Sequence, residues 1–226
     1  MPAPTVGTAV TASGTSTAAT TLVVPKPSDV AEGDLIITAL NCASGRNFNT
    51  LSGWTLLTNQ VNDGVDCRTF ARRATSADVS ASNYTWTMSG SFANPYMAVS
   101  VCVKGAADIA SNAIEAAGGT GTASGTATVP TVTPSDADSL VIGVVSLSDS
   151  QTVTGFSTDT AVPSGTVNAG SSALGMGYGT YPASATGTLN YTTSGFARWT
   201  GHRLAIAPSG GGGGGSIVPK VMQLAS

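Results

Sequence analysis

Any histidine-dependent chemistry in this chain must run through one residue, His202. A Ser/His/Asp or Cys/His arrangement needs an acid to orient the imidazole and a nucleophile within its reach. His202 stands between Gly201 and Arg203 with no acid beside it in sequence, and no GxSxG elbow occurs anywhere. A partly exposed histidine at the head of the last strand is expected instead. Cys42, Cys67 and Cys102 lie 25 and 35 residues apart, without the close pairs that zinc and redox motifs use. An odd count fits no complete disulfide framework, so they read as buried, reduced thiols on strands of a protein made in a reducing cytoplasm. No catalytic, cofactor-binding or metal-binding set emerges.

Paired acids carry glycoside hydrolysis, but the two glutamates are Glu32 and Glu115. Glu32 and Asp34 fall in a turn before a strand, and Asp136 and Asp138 in a similar turn later, where short acidic side chains bond nearby backbone amides. Asn62, Asp63 and Asp66 offer oxygen donors in the segment NDGVD, without the spaced carboxylates of a calcium loop; a hairpin turn at Asp63 and Gly64 is the simpler reading. Arg68, Arg72 and Arg73 cluster, with Arg46 nearby in sequence. On a strand Arg68 and Arg72 face one way and Arg73 the other. Arg68 and Arg72 then form either a patch for a partner or solvated charge that blunts an edge strand. Trp54, Trp86 and Trp199 suit either sugar stacking or a core. No glycine-rich phosphate loop of the GK[ST] or GxGxxG kind is present.

The elements that would position these residues are strands. Of 226 residues 41% are hydrophobic and only 9% charged, enough apolar content for a folded core. Nine Lys plus Arg against twelve Asp plus Glu give no surplus for neutralising phosphates, so nucleic acid is not an expected partner. No run approaches the roughly 18 to 20 apolar residues of a membrane-spanning helix, and the first twenty residues lack the basic and apolar regions of a secretory signal. Segments rich in Val, Ile, Thr, Tyr and Trp, punctuated by Gly, Ser, Asn, Asp and Pro, predict strands near Thr21–Lys26, Leu35–Cys42, Trp54–Val61, Asp66–Ala74, Tyr84–Ser89 and Tyr96–Lys104. Tyr84 and Trp86 share one face of their strand; Leu35, Ile36 and Ile37 suggest a strand covered on both. Ala106–Ala117 reads as a connection with at most one helical turn.

The chain also echoes itself. TLVVPKPSDVAEGDLIITAL, from Thr21, matches ATVPTVTPSDADSLVIGVVSL, from Ala127; Gly53 and Trp54 match Gly155 and Phe156; the strand around Phe70 matches that around Met176; NYTWTMSGS, from Asn83, matches NYTTSGF, from Asn190; and YMAVSVCVKGA, from Tyr96, matches WTGHRLAIAPSG, from Trp199. A sheet with one apolar face must bury it, and a second copy supplies a matching face. The expected fold is all-β: a jelly-roll-like β-sandwich over residues 15–208 built from pseudo-repeats at about 15–106 and 120–207, with two small tandem sandwiches as the alternative. Residues 1–14 read as an N-terminal arm.

After residue 208 come six glycines, Gly210–Gly215, a flexible spacer. The terminal segment of residues 216–226 then places Ile217, Val218, Val221, Met222 and Leu224 in what would be water. It reads either as a hook onto its own domain or as a tethered peptide that docks on another subunit.

The order of "TLVVPKPSDVAEGDLIITAL", "GWTLL", "FARRATSADVSASNYTWTMSGS", "YMAVSVCVKGA" and "TPSDADSLVIGVVSL" resembles a duplicated β-sandwich module of tailed-bacteriophage virion proteins, found also in some bacterial surface proteins. The likeness covers approximately residues 15–207, and the glycine run with an apolar end resembles C-termini of phage structural proteins. The resemblance implies a non-enzymatic virion component made in the host cytoplasm: a capsid decoration or cement protein, a trimer or dimer seated on the major capsid protein and on copies of itself. Its contacts would be Ile217, Val218, Val221, Met222 and Leu224 with Arg68 and Arg72. The alternative is a tail or fibre module that recognises host-surface carbohydrate.

Overall fold

Leu35–Cys42 and Tyr96–Lys104 carry apolar or small residues at nearly every position and are buried along almost their whole lengths, as strands covered on both faces must be. Asn83–Ser89 instead alternates, with Tyr84, Trp86 and Met88 inward and Asn83, Thr85, Thr87 and Ser89 outward, as in a strand with one face in water. A chain that contains both kinds needs more than two layers.

The computed structural model describes residues 2–15, 19–42, 47–62, 65–89, 95–109, 114–148 and 151–210. Its first half comprises β1 (Thr5–Gly14), β2 (Thr21–Pro25), β3 (Leu35–Cys42), β4 (Asn47–Phe48), β5 (Thr55–Asn62), β6 (Val65–Arg73), the short helix α1 (Ser76–Ser80), β7 (Asn83–Ser89) and β8 (Tyr96–Lys104). These make an antiparallel five-stranded sheet in the order β1-β8-β3-β6-β5 and a three-stranded sheet in the order β2-β7-β4. The second half comprises β9 (Glu115–Val129), β10 (Ser139–Leu147), β11 (Val153–Phe156), β12 (Thr160–Ala169), β13 (Ser172–Tyr181) and β14 (Leu189–Ile206).

The second half repeats the pairing of the first. As β3 lies between β6 and β8, so β10 lies between β13 and the end of β14; as β5 pairs β6, β12 pairs β13. The start of β9 stands in for β1 and its end for β2, while the start of β14 stands in for β7 and pairs β11 as β7 pairs β4. Strand β14 is long enough to serve both layers. Tyr191, near its start, lies over Gly143 of β10, whose backbone partner is Arg203 of the same strand.

Details repeat as well. Trp54 and Tyr84 meet edge to face at 5.1 Å and Phe156 and Tyr191 at 4.9 Å. Two residues before the first leucine of each buried central strand, Gly33 (φ 88°) and Asp138 (φ 60°) both take a left-handed φ. Asp138 is therefore the counterpart of Gly33, one position away from the match with Asp34 that the acidic spacing suggests.

Three apolar layers result. Leu22, Val24, Ile36, Phe70, Tyr84 and Trp86 fill the space between the two sheets of the first half. In the second half, whose strands form one six-stranded sheet in the order β11-β14-β10-β13-β12 with β9 on β14, Val129, Val145, Leu147, Leu189, Tyr191 and Trp199 fill the space between the two layers that β14 links. Between the large sheets lie Ile37, Met97, Val99 and Val101 of one half and Ile142, Leu174, Met176 and Leu204 of the other. Each half is thus a small sandwich, and the two large sheets pack face to face into one body. The contacts are reciprocal, β1 lying beside β12 and β5 beside β9, as a pseudo-twofold axis requires.

Two segments differ from expectation. Thr5–Gly14 is an edge strand, not an arm: Asp29 accepts hydrogen bonds from the Thr8 amide at 3.1 and 3.2 Å and from its hydroxyl, and pins it in place. The expected connection of Ala106–Ala117 ends earlier than its sequence suggests, since Glu115–Ala117 already belong to strand β9, which continues through the glycine-rich stretch after them. Gly121 leaves room for the Trp199 indole and Gly119 for the Pro130 ring, and the indole, which reaches over both glycines, supplies the side-chain surface that glycine lacks. The repeated units accordingly begin earlier than 15 and 120, at β1 and β9.

Candidate functional site

His202 is fully buried, in the last third of β14, and its Nε2 lies 2.6 Å from the Thr69 hydroxyl of β6. The expectation of a partly exposed residue is overturned because β14 begins at Leu189 and has already crossed into the layer between the large sheets. Burial holds the imidazole well below its ordinary range, at about 3; it is a neutral core residue. The cysteines are free and buried. Burial pushes the Cys67 thiol up, with Asp66 and Cys42 adding to it, and burial followed by Asp34 and Asp29 pushes Cys102 up to about 12. Neither reaches the thiolate form that a nucleophile or metal ligand requires.

The carboxylates fasten loops. Burial pushes Asp29 up, but the Thr8 bonds and Lys104 outweigh it and hold the group below its ordinary value. Burial is likewise outweighed at Asp78, by Thr75 and then Arg72. At Asp66 burial wins over Arg68 and raises the carboxyl. Asp159 and Arg203, with fully buried side chains, meet at 3.3 Å, and the Tyr181 hydroxyl donates to Asp159 at 2.5 Å. Asn62 and Val65 pair across the end of the β5/β6 hairpin; Asp63 and Gly64 between them lie outside the described residues. Among the described residues no three His, Cys, Asp or Glu side chains converge as metal ligands would.

Arg68 and Arg72 do face the same way. Arg68 lies 3.5 Å from Asp66, donates to the Asn47 side chain at 2.6 Å and to the Phe48 carbonyl at 3.3 Å, and so fastens β4 to β6. Arg72 meets Asp78 at 2.8 Å and donates to the Ser52 carbonyl at 3.0 Å. Strand β6 lies inside its sheet, so these are not the charges of an edge strand, and their side chains are only 17% and 21% exposed. Arg46 and the tail residues Ile217, Val218, Val221, Met222 and Leu224 lie outside the described residues. Where the description ends, the Ser209 amide donates to the Gly105 carbonyl at 2.7 Å and Ala107 to Ala207 at 2.8 Å. The glycine run therefore starts beside the segment that joins the two halves.

Trp54, Trp86 and Trp199 are all buried. Trp54 and Trp86 form a cluster with Tyr84 and Phe70, so none of the three presents a face to a sugar.

What remains is surface. The outward residues of the first small sheet are Thr21, Val23, Pro25, Asn47, Asn83, Thr85, Thr87 and Ser89; those of the corresponding layer in the second half are Thr126, Thr128, Thr154, Asn190, Thr192 and Ser194. Among the described residues neither set holds a charged side chain, and exposed Arg198 lies on β14 just beyond the second. Val23 is 51% exposed on the first, and Phe196, at the β14 bulge bordering the second, is 61% exposed. Alternation in β7 made the outward threonines legible in sequence; the second face, divided between β9 and β14, gave no comparable signal. No protein-family model, curated protein or solved structure matches the chain.

Proposed function

We propose that this chain is a non-enzymatic structural protein of a bacteriophage virion, a decoration or cement protein that binds the assembled capsid and stabilises it. One observation carries the reading. The groups with chemical potential, His202, Cys67 and Cys102, are walled inside β layers, while the body turns outward two hydroxyl- and amide-rich faces, related by the pseudo-twofold axis, whose outward side chains among the described residues are uncharged, with Arg198 at the border of the second. Such faces make many modest contacts and lose little desolvation energy on docking, because no ion must be stripped of water. The strand and turn order that resembles phage modules supports the same reading, as does a glycine spacer followed by five large apolar residues.

In mechanism, the chain binds the finished lattice better than free capsid subunits, so that disassembly must overcome the added interface free energy. The tail of residues 216–226 grips a neighbouring capsid subunit or another copy, its effective concentration set by the spacer. Deleting residues 216–226 is expected to leave a folded protein whose occupancy on particles falls at least tenfold, about 1.4 kcal/mol. Unchanged occupancy would remove the tail from the mechanism. Thr85→Lys and Thr192→Lys each place an ammonium on one outer face without touching the core. If a face docks, its variant loses particle binding while its thermal unfolding stays where it was.

A further inference from the structure

The two sides of the pseudo-twofold axis are unequal. Asn41 of β3 and Ser146 of β10 occupy equivalent positions, each six residues after the first leucine of its strand, and bond to one another across the large-sheet interface. On one side of this pair, Met97 and Val99 of β8 face Leu174 and Met176 of β13, all apolar. On the other side the equivalent positions are Thr200 and His202 of β14 facing Cys67 and Thr69 of β6. Symmetry thus sets a polar quartet where its mate has an apolar one. Three of the four replacements are to smaller side chains: Thr200 for Met97, Cys67 for Leu174 and Thr69 for Met176. Only His202, for Val99, is larger.

This polar quartet is under-bonded. Asn41, Thr69, Ser146, Thr200 and His202 are at most 1% exposed. Yet Asn41 Oδ1, Thr200 Oγ1 and His202 Nδ1, together with Thr58 Oγ1 one strand away, have no hydrogen-bond partner among the described residues. Thr200 is the direct cross-strand neighbour of Ser146, and Thr58 of Thr69, pairs whose Cβ atoms lie roughly 4.5–5.5 Å apart; Ser146 in turn bonds Asn41 and Thr69 bonds His202. An orphaned buried donor or acceptor costs about 1–3 kcal/mol, and several in one place are found where ordered water completes them.

We propose that the seam between the two halves contains an internal hydration site, at which one or more water molecules bridge Asn41 Oδ1, Thr200 Oγ1 and His202 Nδ1. Water suits the set because it donates to the amide oxygen and meets the imidazole nitrogen in either tautomer: it accepts if Nδ1 carries the proton and donates if Nε2 does. The apolar mate, with Met97, Val99, Leu174 and Met176, stays dry.

A crystal structure of the whole chain at about 1.5 Å and magnetic relaxation dispersion of water nuclei in solution test this on the unmodified protein. The expected result is solvent density within hydrogen-bond distance of at least two of the three atoms, none at the apolar mate, and a contribution from water held for longer than nanoseconds. The variant Cys67→Leu/Thr69→Met/Thr200→Met/His202→Val copies the mate and is expected to lose that contribution. A map in which the three atoms close on protein groups with no solvent between them, or a dispersion profile without long-lived water, overturns the proposal whether or not the variant folds.

Discussion

Single side chains in this protein are informative where burial and bonding disagree. His202 is the clearest. Its folded-state value of about 3 lies below the ordinary 6.5, so between these pH values the unfolded chain binds a proton that the fold refuses. Stability from this residue is complete above about pH 6.5 and declines as pH falls toward 3, with a limiting slope of ~1.4 kcal/mol per pH unit. His202→Gln removes the titration; the difference between the two denaturation-versus-pH curves should show that slope, and a flat difference contradicts the assignment. Taking the difference cancels the acidic groups, since Asp29 and Asp78 titrate below their ordinary values and Asp66 and Glu115 above theirs. Gly143 gives a second test. A Cβ there would run into the Tyr191 hydroxyl and stand 2.8 Å from a Leu189 methyl, so Gly143→Ala is expected to cost about 1–3 kcal/mol. Tyr191→Phe removes a hydroxyl with no partner among the described residues and should be nearly neutral. Combined with Gly143→Ala it should recover part of the loss, read as a coupling in a double-mutant cycle.

At the scale of elements, legibility in the sequence followed side-chain size. Leu35–Cys42 and Tyr96–Lys104 were bounded correctly from their apolar runs, and the alternation of Tyr84 and Trp86 identified the inward face of β7. Strands β1 and β9 escaped because their residues are Thr, Ala, Gly and Ser, whose pattern resembles a linker. What makes them strands is not local: β1 is held by the Asp29 carboxylate, β9 by its long pairing with β14 and by the Trp199 indole over Gly119 and Gly121. The burial of His202 was hidden for the same reason, since the reach of β14 into both layers depends on a partner strand that the sequence did not announce. The duplicated turn before the central strands also yields a prediction. Gly33 adopts φ 88° without a side chain, whereas Asp138 holds φ 60° with one. Asp138→Gly should therefore stabilise the protein by about 0.5–1 kcal/mol, a rise of roughly 1–4 °C in Tm for a chain of this size. A fall in Tm would mean that the Asp138 side chain contributes more than its backbone costs.

For the molecule as a whole, duplication solves a burial problem. One face of each large sheet is covered within its own half, by the small sheet in the first and by β11, the end of β9 and the start of β14 in the second, and the other face is left apolar, so neither half is complete until the two large sheets meet. This arrangement leaves two similar hydroxyl- and amide-rich faces turned outward and brings Ser209 against Gly105, beside the joint between halves. The repeat, and hence the all-β class, could be read from matched segments; the stacking of two small sandwiches through their large sheets could not, because the sequence names which residues are apolar but not which layer receives them. The functional reading rests on the surface that this stacking creates. The proposed role is tested directly by mixing the purified chain with assembled, undecorated tailed-phage particles, and separately with their unassembled capsid subunits, and following co-sedimentation together with the temperature at which particles release their genome. Saturable binding to particles, weaker binding to free subunits and a higher release temperature are expected; equal binding to both, or none to particles, would contradict a role in securing the assembled shell.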